Sequence, residues 1–139
     1  MKKEYVNLLL KLSKKAYKKN EMPVSAILVY NNKIIAKAYN KKNINNNPIM
    51  HAEIICLLKA YKKFKRWNLN GFSLYVSLEP CEMCKRIIEE SRIDNVYYVL
   101  QRGKTTNKYK KTIYEQTFVP DSNDFKLLIN DFFKKIRKK

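Results

Sequence analysis

Two hydrophobic rhythms alternate along the chain. Over residues 2–19, Tyr5, Leu8, Leu9, Leu12 and Ala16 fall at the 3, 4, 7 spacing of one helical face, with Lys11, Lys14, Lys15 and Lys18 opposite. The spacing predicts an amphipathic helix. It ends at Asn20-Glu21-Met22-Pro23, because the residue before a proline avoids helical dihedrals. Val24–Tyr30 is almost uniformly apolar, as a buried strand is, and Lys33–Tyr39 returns after Asn31-Asn32, a pair that tolerates the positive φ of a tight turn. A polar loop from Asn40 to Pro48 contains five Asn.

A second helix is predicted from about His51 to Trp67. Ile54, Leu57, Leu58, Tyr61 and Phe64 share a face, while Ile55 and Cys56 lie off it, so more than one side is covered. Asn68–Gly71 is a stop signal. Phe72–Leu78 reads as a strand, and Glu79-Pro80-Cys81 opens a third helix with Cys84, Ile87, Ile88 and Ser91 along one side. Asn95–Leu100 is a further strand, and 113–119 a short last one. The final helix starts at Pro120-Asp121-Ser122 and carries the stripe Phe125, Leu128, Ile129, Phe132, Phe133, Ile136. Helices alternating with strands after a hairpin imply a three-layer α/β/α sandwich.

Composition narrows the class. At 139 residues and 16.6 kDa the chain has the size of one domain, and one Trp, ten Tyr and six Phe set it apart from disordered sequences. No run of 18 apolar residues occurs and no signal-peptide core forms at the N-terminus, so a cytoplasmic address is expected. Thirty Lys and Arg against 12 Asp and Glu give a net charge of +18. That surplus suits a polyanion such as nucleic acid. It also suits the compositional drift of a Lys-, Asn- and Ile-rich chain with two Gly.

The chemistry-bearing residues are few. His51 is the sole histidine, and taken alone it suits a structural role. Cys81-Glu82-Met83-Cys84 alone suits a thioredoxin-like redox site or a metal knuckle. Together they say more. Both groups open helices that follow strands, and in α/β folds such openings gather where ligands bind. One His and two Cys make three zinc ligands, one fewer than a closed structural site uses, which leaves a place for water. Glu53 is then a spare carboxylate able to move protons. Spacing does not fix this geometry, since residues two apart on a helix point about 200° from each other.

His51-Ala52-Glu53 with Pro80-Cys81-Glu82-Met83-Cys84 is the H-x-E…P-C-x-x-C signature of zinc nucleobase deaminases. The wider chain resembles the bacterial tRNA-specific adenosine deaminases, of the zinc-dependent cytidine/deoxycytidylate deaminase superfamily. The resemblance runs through Asn20–Val24, Tyr39-Asn40, Pro48, Leu74–Cys81, Ser91-Arg92-Ile93, Lys104-Thr105 and Asp131-Phe132-Phe133. It implies a single deaminase domain over 1–139, a cytidine deaminase-like fold with a mixed sheet of about five strands, and a basic helix end at 134–139. It also implies one Zn²⁺ per chain on His51, Cys81 and Cys84, with Glu53 as the proton shuttle. Asn40, Val24, Pro48, Ala52 and Leu78 would be substrate contacts. The partner would be the anticodon stem-loop of tRNA, bound by a homodimer, and the reaction attack of zinc-activated water at C6 of the wobble adenosine to leave inosine.

Other readings stand beside these. Val24 and Leu78 suit plain core and Asn40 a turn cap, while Cys56 is core. A deaminase of free guanine, cytosine or a nucleoside would share the signature without needing the charge, and a zinc-containing RNA-binding module would not need Glu53. The chain also departs from the family: Ser25 stands where Gly is usual, Arg102 where an acidic residue is usual, and the stretch from Thr105 to Asp131 is short.

Overall fold

The N-terminal rhythm is realised as helix α1 (Lys3–Lys18), which buries Tyr5, Leu9, Leu12 and Ala16. The computed structural model describes residues 1–103, 114–116, 120 and 122–137. It divides into two compact units, 1–105 and 106–139, each described by itself. The first unit continues with β1 (Ser25–Tyr30), β2 (Lys33–Tyr39), α2 (Ala52–Phe64), β3 (Ser73–Leu78), α3 (Glu82–Glu90) and β4 (Asn95–Leu100).

The sheet order is β2-β1-β3-β4. β1 is antiparallel to both neighbours, and β3 pairs with β4 in parallel. The β1–β2 hairpin turns on Asn31 and Asn32 at φ 50° and 60°, as a two-residue turn matching strand twist requires. Period-two alternation along β1 divides the core. Ile27 and Val29 pack with Tyr5 and Leu9 of α1, while Ala26 and Leu28 join the cluster formed by α2 and α3. The result is the expected three layers, with α1 on one face and α2 and α3 on the other.

This topology positions the site. Because β1 is antiparallel to its two neighbours, β2, β3 and β4 all run the same way. The chain therefore leaves β2 toward α2, and β3 toward α3, at one end of the sheet, where β1 begins. An aromatic group closes the opposite end: Tyr30 stacks on the wholly buried Phe72 at 4.2 Å, and Phe64 meets Phe72 edge-on at 5.2 Å.

Two sequence expectations change. The described residues contain four strands, not about five. Tyr114, Glu115 and Gln116 adopt no strand, and the remainder of 113–119 apart from these lies outside the described residues. Helix α2 stops at Phe64 rather than running to Trp67, because Lys65 adopts the left-handed conformation that terminates helices, at φ 53°. In the second unit, α4 (Ser122–Arg137) carries the apolar stripe from Phe125 to Ile136 and ends in Lys134, Lys135 and Arg137. No helix among the described residues is long and apolar enough to cross a membrane.

Candidate metal centre and active site

His51 and Cys81 each occupy the N-cap of a helix, in extended conformation at φ −76° and −71°. Their carbonyls accept the first helical bonds, from Ile55 N–H at 3.0 Å and Lys85 N–H at 2.9 Å. Neither side chain makes the usual capping hydrogen bond. Instead the two turn toward each other. Nδ1 of His51 lies 3.7 Å from Sγ of Cys81 and 3.4 Å from Sγ of Cys84, which is in the first turn of α3. All three donor atoms fall within 4.8 Å of one another. Tetrahedral zinc, with Zn–S near 2.3 Å and Zn–N near 2.0 Å, needs neighbouring donors roughly 3.5 Å apart. The donor set therefore fits one zinc ion in both chemistry and spacing.

Electrostatics favour the same use. The Cys81 thiol is depressed to about 3 by hydrogen bonding with Cys84 and then with His51. Cys84 is pushed the other way by that same bond and by burial. His51 is raised, chiefly by its bond to Cys81. Glu53, in the first turn of α2, is only 2 % exposed, and its Oε1 has no hydrogen-bond partner. Burial raises its pKa, partly offset by its own backbone N–H and the His51 charge. A buried carboxylate oxygen with no partner is costly in a folded chain, and proteins keep such groups where a ligand or reaction uses them. Cys56 is different: it is buried, its Sγ faces the Ala26 carbonyl at 3.4 Å, and burial pushes its thiol up to about 12. It is a core thiol.

Comparison with known proteins agrees with this centre. Residues 1–100 match the family model of the cytidine and deoxycytidylate deaminase zinc-binding region. A tRNA-specific adenosine deaminase of Rickettsia bellii is 38% identical, over 92% of this chain and 97% of that one. The chain belongs to the tRNA-specific adenosine deaminase family. A Bacillus subtilis member is 40% identical over 68% of this chain and 58% of its own length. Among solved structures, one from work on A-to-I editing by tRNA:A34 deaminases at the wobble position superposes with a TM-score of 0.69 at 34% identity, covering 71% of this chain and 76% of that one. The guanine deaminase of Bacillus subtilis shares the fold, with a TM-score of 0.76 over 94% of this chain and 95% of that one at 24% identity.

The deaminase's other expected contacts are placed less uniformly. Ala52 is wholly buried beside His51. Asn40 is 8% exposed, and its Oδ1 is a second buried oxygen without a partner. Pro48 is exposed on the 40–50 loop. Val24 and Leu78 are half-buried and line an apolar groove of about 690 Å³ against α1 and β4, together with Leu9, Leu10, Met22 and Val99. The two departures within the first unit have local explanations. The Ser25 hydroxyl donates to the Leu9 carbonyl at 2.6 Å and meets Ser13 Oγ at 2.8 Å, so a buried hydroxyl is satisfied where Gly is usual. The Nε–H of Arg102 donates to the Glu79 carbonyl at 3.1 Å, and its backbone N–H to Glu79 Oε1 at 3.2 Å. Lys85 bridges the other carboxylate oxygen at 2.9 Å. Arg102 thus steadies the turn that presents Cys81.

Sequence reasoning missed Glu21. Its buried carboxylate accepts the backbone N–H of Asn43 at 3.0 Å and of Ile44 at 2.6 Å, pinning the loop that carries Pro48 and leads to His51. The available signal was its isolation, as the single acidic residue between Glu4 and Glu53. Glu21→Ala leaves two N–H groups without their charged acceptor and should cost about 1.5–3 kcal/mol of stability. A lowered midpoint in urea unfolding is expected, and an unchanged midpoint would remove the clamp.

Proposed function

We infer that this chain is a zinc-dependent hydrolase converting adenosine to inosine at the wobble position, the first anticodon position, of tRNA. The observation that carries the reading is the His51, Cys81, Cys84 cluster with the buried, unpartnered Glu53 oxygen close by. Nearly full-length likeness to a tRNA-specific adenosine deaminase supports the substrate.

His51, Cys81 and Cys84 are the residues that would hold one zinc per chain. A zinc ion there supplies Lewis acidity that makes water nucleophilic near neutral pH. The protein's own contribution is proton management. Glu53 takes a proton from the water that adds at C6 of adenine and returns it to the amine. The C6–N6 bond then breaks and ammonia leaves, and the oxygen at C6 makes inosine. Burial suits Glu53 to this, because a carboxylate with a raised pKa both accepts and releases a proton readily. Asn40 orients the base through its free Oδ1, and Val24, Pro48, Ala52 and Leu78 are assigned to the pocket wall. The +18 charge supplies attraction to RNA that a free-base deaminase has no use for. The protein works as a homodimer in the cytoplasm.

A substrate panel of tRNA, anticodon stem-loop, adenosine, guanine and cytosine tests the reading. Inosine should form on the RNAs, and the same preparation should sediment at twice the 16.6 kDa chain mass. Turnover of a free base with none on RNA would move the enzyme to base salvage, and sedimentation at the single-chain mass would remove the homodimer.

A further inference from the structure

Positive charge is not spread evenly over the first unit. Between Glu4 and Glu53 stand nine Lys and one acidic residue, Glu21, whose carboxylate oxygens are both taken by backbone N–H groups. Two of those lysines converge on one ring. Nζ of Lys19 lies 5.8 Å from the centroid of Tyr39 and Nζ of Lys41 lies 5.0 Å from it. Lys15 lies one turn before Lys19 near the end of α1. The Tyr39 phenol registers them: its pKa is lowered, foremost by hydrogen bonding with Lys19, with smaller contributions from the charges of Lys19, Lys41 and Lys15. The salt bridges among the described residues involve Lys85 alone, so these ammonium groups have no carboxylate partner there.

The cluster's place in the fold gives it a use. Tyr39 packs against Leu12 and Ala16, which brings the last turns of α1 to the end of β2. The next residue is Asn40, with its free buried oxygen, and Lys41 N–H donates to the Met50 carbonyl at 2.9 Å, immediately before His51. The lysines thus stand beside the candidate active site. Helix-end electrostatics explains Lys15 and Lys18, since cations suit a helix C-terminus, but it does not require Lys41 from another element. Cation–π contact explains little more, because at exposed sites it contributes about 0.5–1 kcal/mol and leaves the ammonium hydrated and able to meet an anion.

We propose that Lys19 and Lys41, gathered at Tyr39, with Lys15 one turn before Lys19, cradle a backbone phosphate of the RNA beside the nucleotide that enters the site. This rests on the RNA-substrate reading above. The cradle positions the strand and reads no base, so its removal weakens all RNAs alike.

The test compares the parent protein, the Lys19→Gln/Lys41→Gln double variant, the matching double Arg variant, and Lys62→Gln near the far end of α2. Each is titrated with an anticodon stem-loop at several salt concentrations from about 50 to 200 mM. The double Gln variant should bind several-fold more weakly, and its plot of log affinity against log salt should be shallower by about one. The Arg variant should keep the parent slope, Lys62→Gln should change neither quantity, and zinc content should be equal throughout. A parent-like slope in the double Gln variant overturns the cradle, and so does an equal loss in Lys62→Gln, which would mean that net charge alone is at work. Inosine formation by the parent is measured alongside. If none appears, the deaminase reading falls while the slopes still decide the cradle. If the parent does not bind the stem-loop, the cradle falls too.

Discussion

Glu53→Ala is expected to lower kcat for inosine formation by roughly 10²–10⁴-fold while leaving one zinc per chain. The range is that of a positioned general acid–base group. The reason to expect so clean a separation lies in the geometry. The three atoms grouped so that they could hold a metal are His51 Nδ1 and the two cysteine sulfurs, and Glu53 is not among them. Its Oε1 is buried without a partner, so no protein hydrogen bond is broken at that oxygen. Glu53→Gln sharpens the test, since it keeps the shape and removes only the ability to cycle a proton, and it should be nearly as inactive. Rates from stem-loop digests and zinc by elemental analysis decide the matter. Activity within about threefold of the parent would remove Glu53 from the proton path.

Cys84→Ser is expected to abolish both zinc and turnover. Cys84 is wholly buried at the start of α3, where helix dipole and metal both favour a thiolate and a hydroxyl supplies neither charge nor softness. Loss of bound metal also withdraws its linkage stabilisation, about 2.7 kcal/mol for a ligand at 100 times its Kd. Chelation of the parent should therefore lower the unfolding midpoint, and added zinc should restore it. Acid should act in the same direction. Zinc binds deprotonated thiolates and a neutral imidazole, so protons compete with it and the apparent affinity falls as pH drops. An active, zinc-replete Cys84→Ser protein would exclude this ligand set.

Much of this was legible from residue pattern, for identifiable reasons. The 3, 4, 7 stripe of α1 and the Asn31-Asn32 turn are local signals with local causes, and both appear where expected. The strand order is another matter. Placing β1 between β2 and β3 depends on long-range pairing, and that insertion is what brings the two helix starts to one end of the sheet. Reading His51 as the first residue of a helix left it pointing away from Glu53. The structure resolves the conflict by making His51 an extended N-cap, outside the helical 100° step. Cys81 repeats the device. Isolation could single out Glu21, but not its partners, which are backbone N–H groups some twenty residues away that no side-chain pattern records. The base contacts remain the least legible part: Val24 and Leu78 are half-buried along an apolar groove, a position that apolar residue type alone does not distinguish from core.

The most direct measurement is a single digest. An anticodon stem-loop with adenosine at the wobble position is incubated with the zinc-loaded protein in water enriched in ¹⁸O, and its nucleosides are weighed by mass spectrometry. Hydrolysis at C6 predicts inosine at that position carrying one ¹⁸O, absent from the Glu53→Ala reaction. Adenosine that persists unchanged, or inosine without the label, would contradict it.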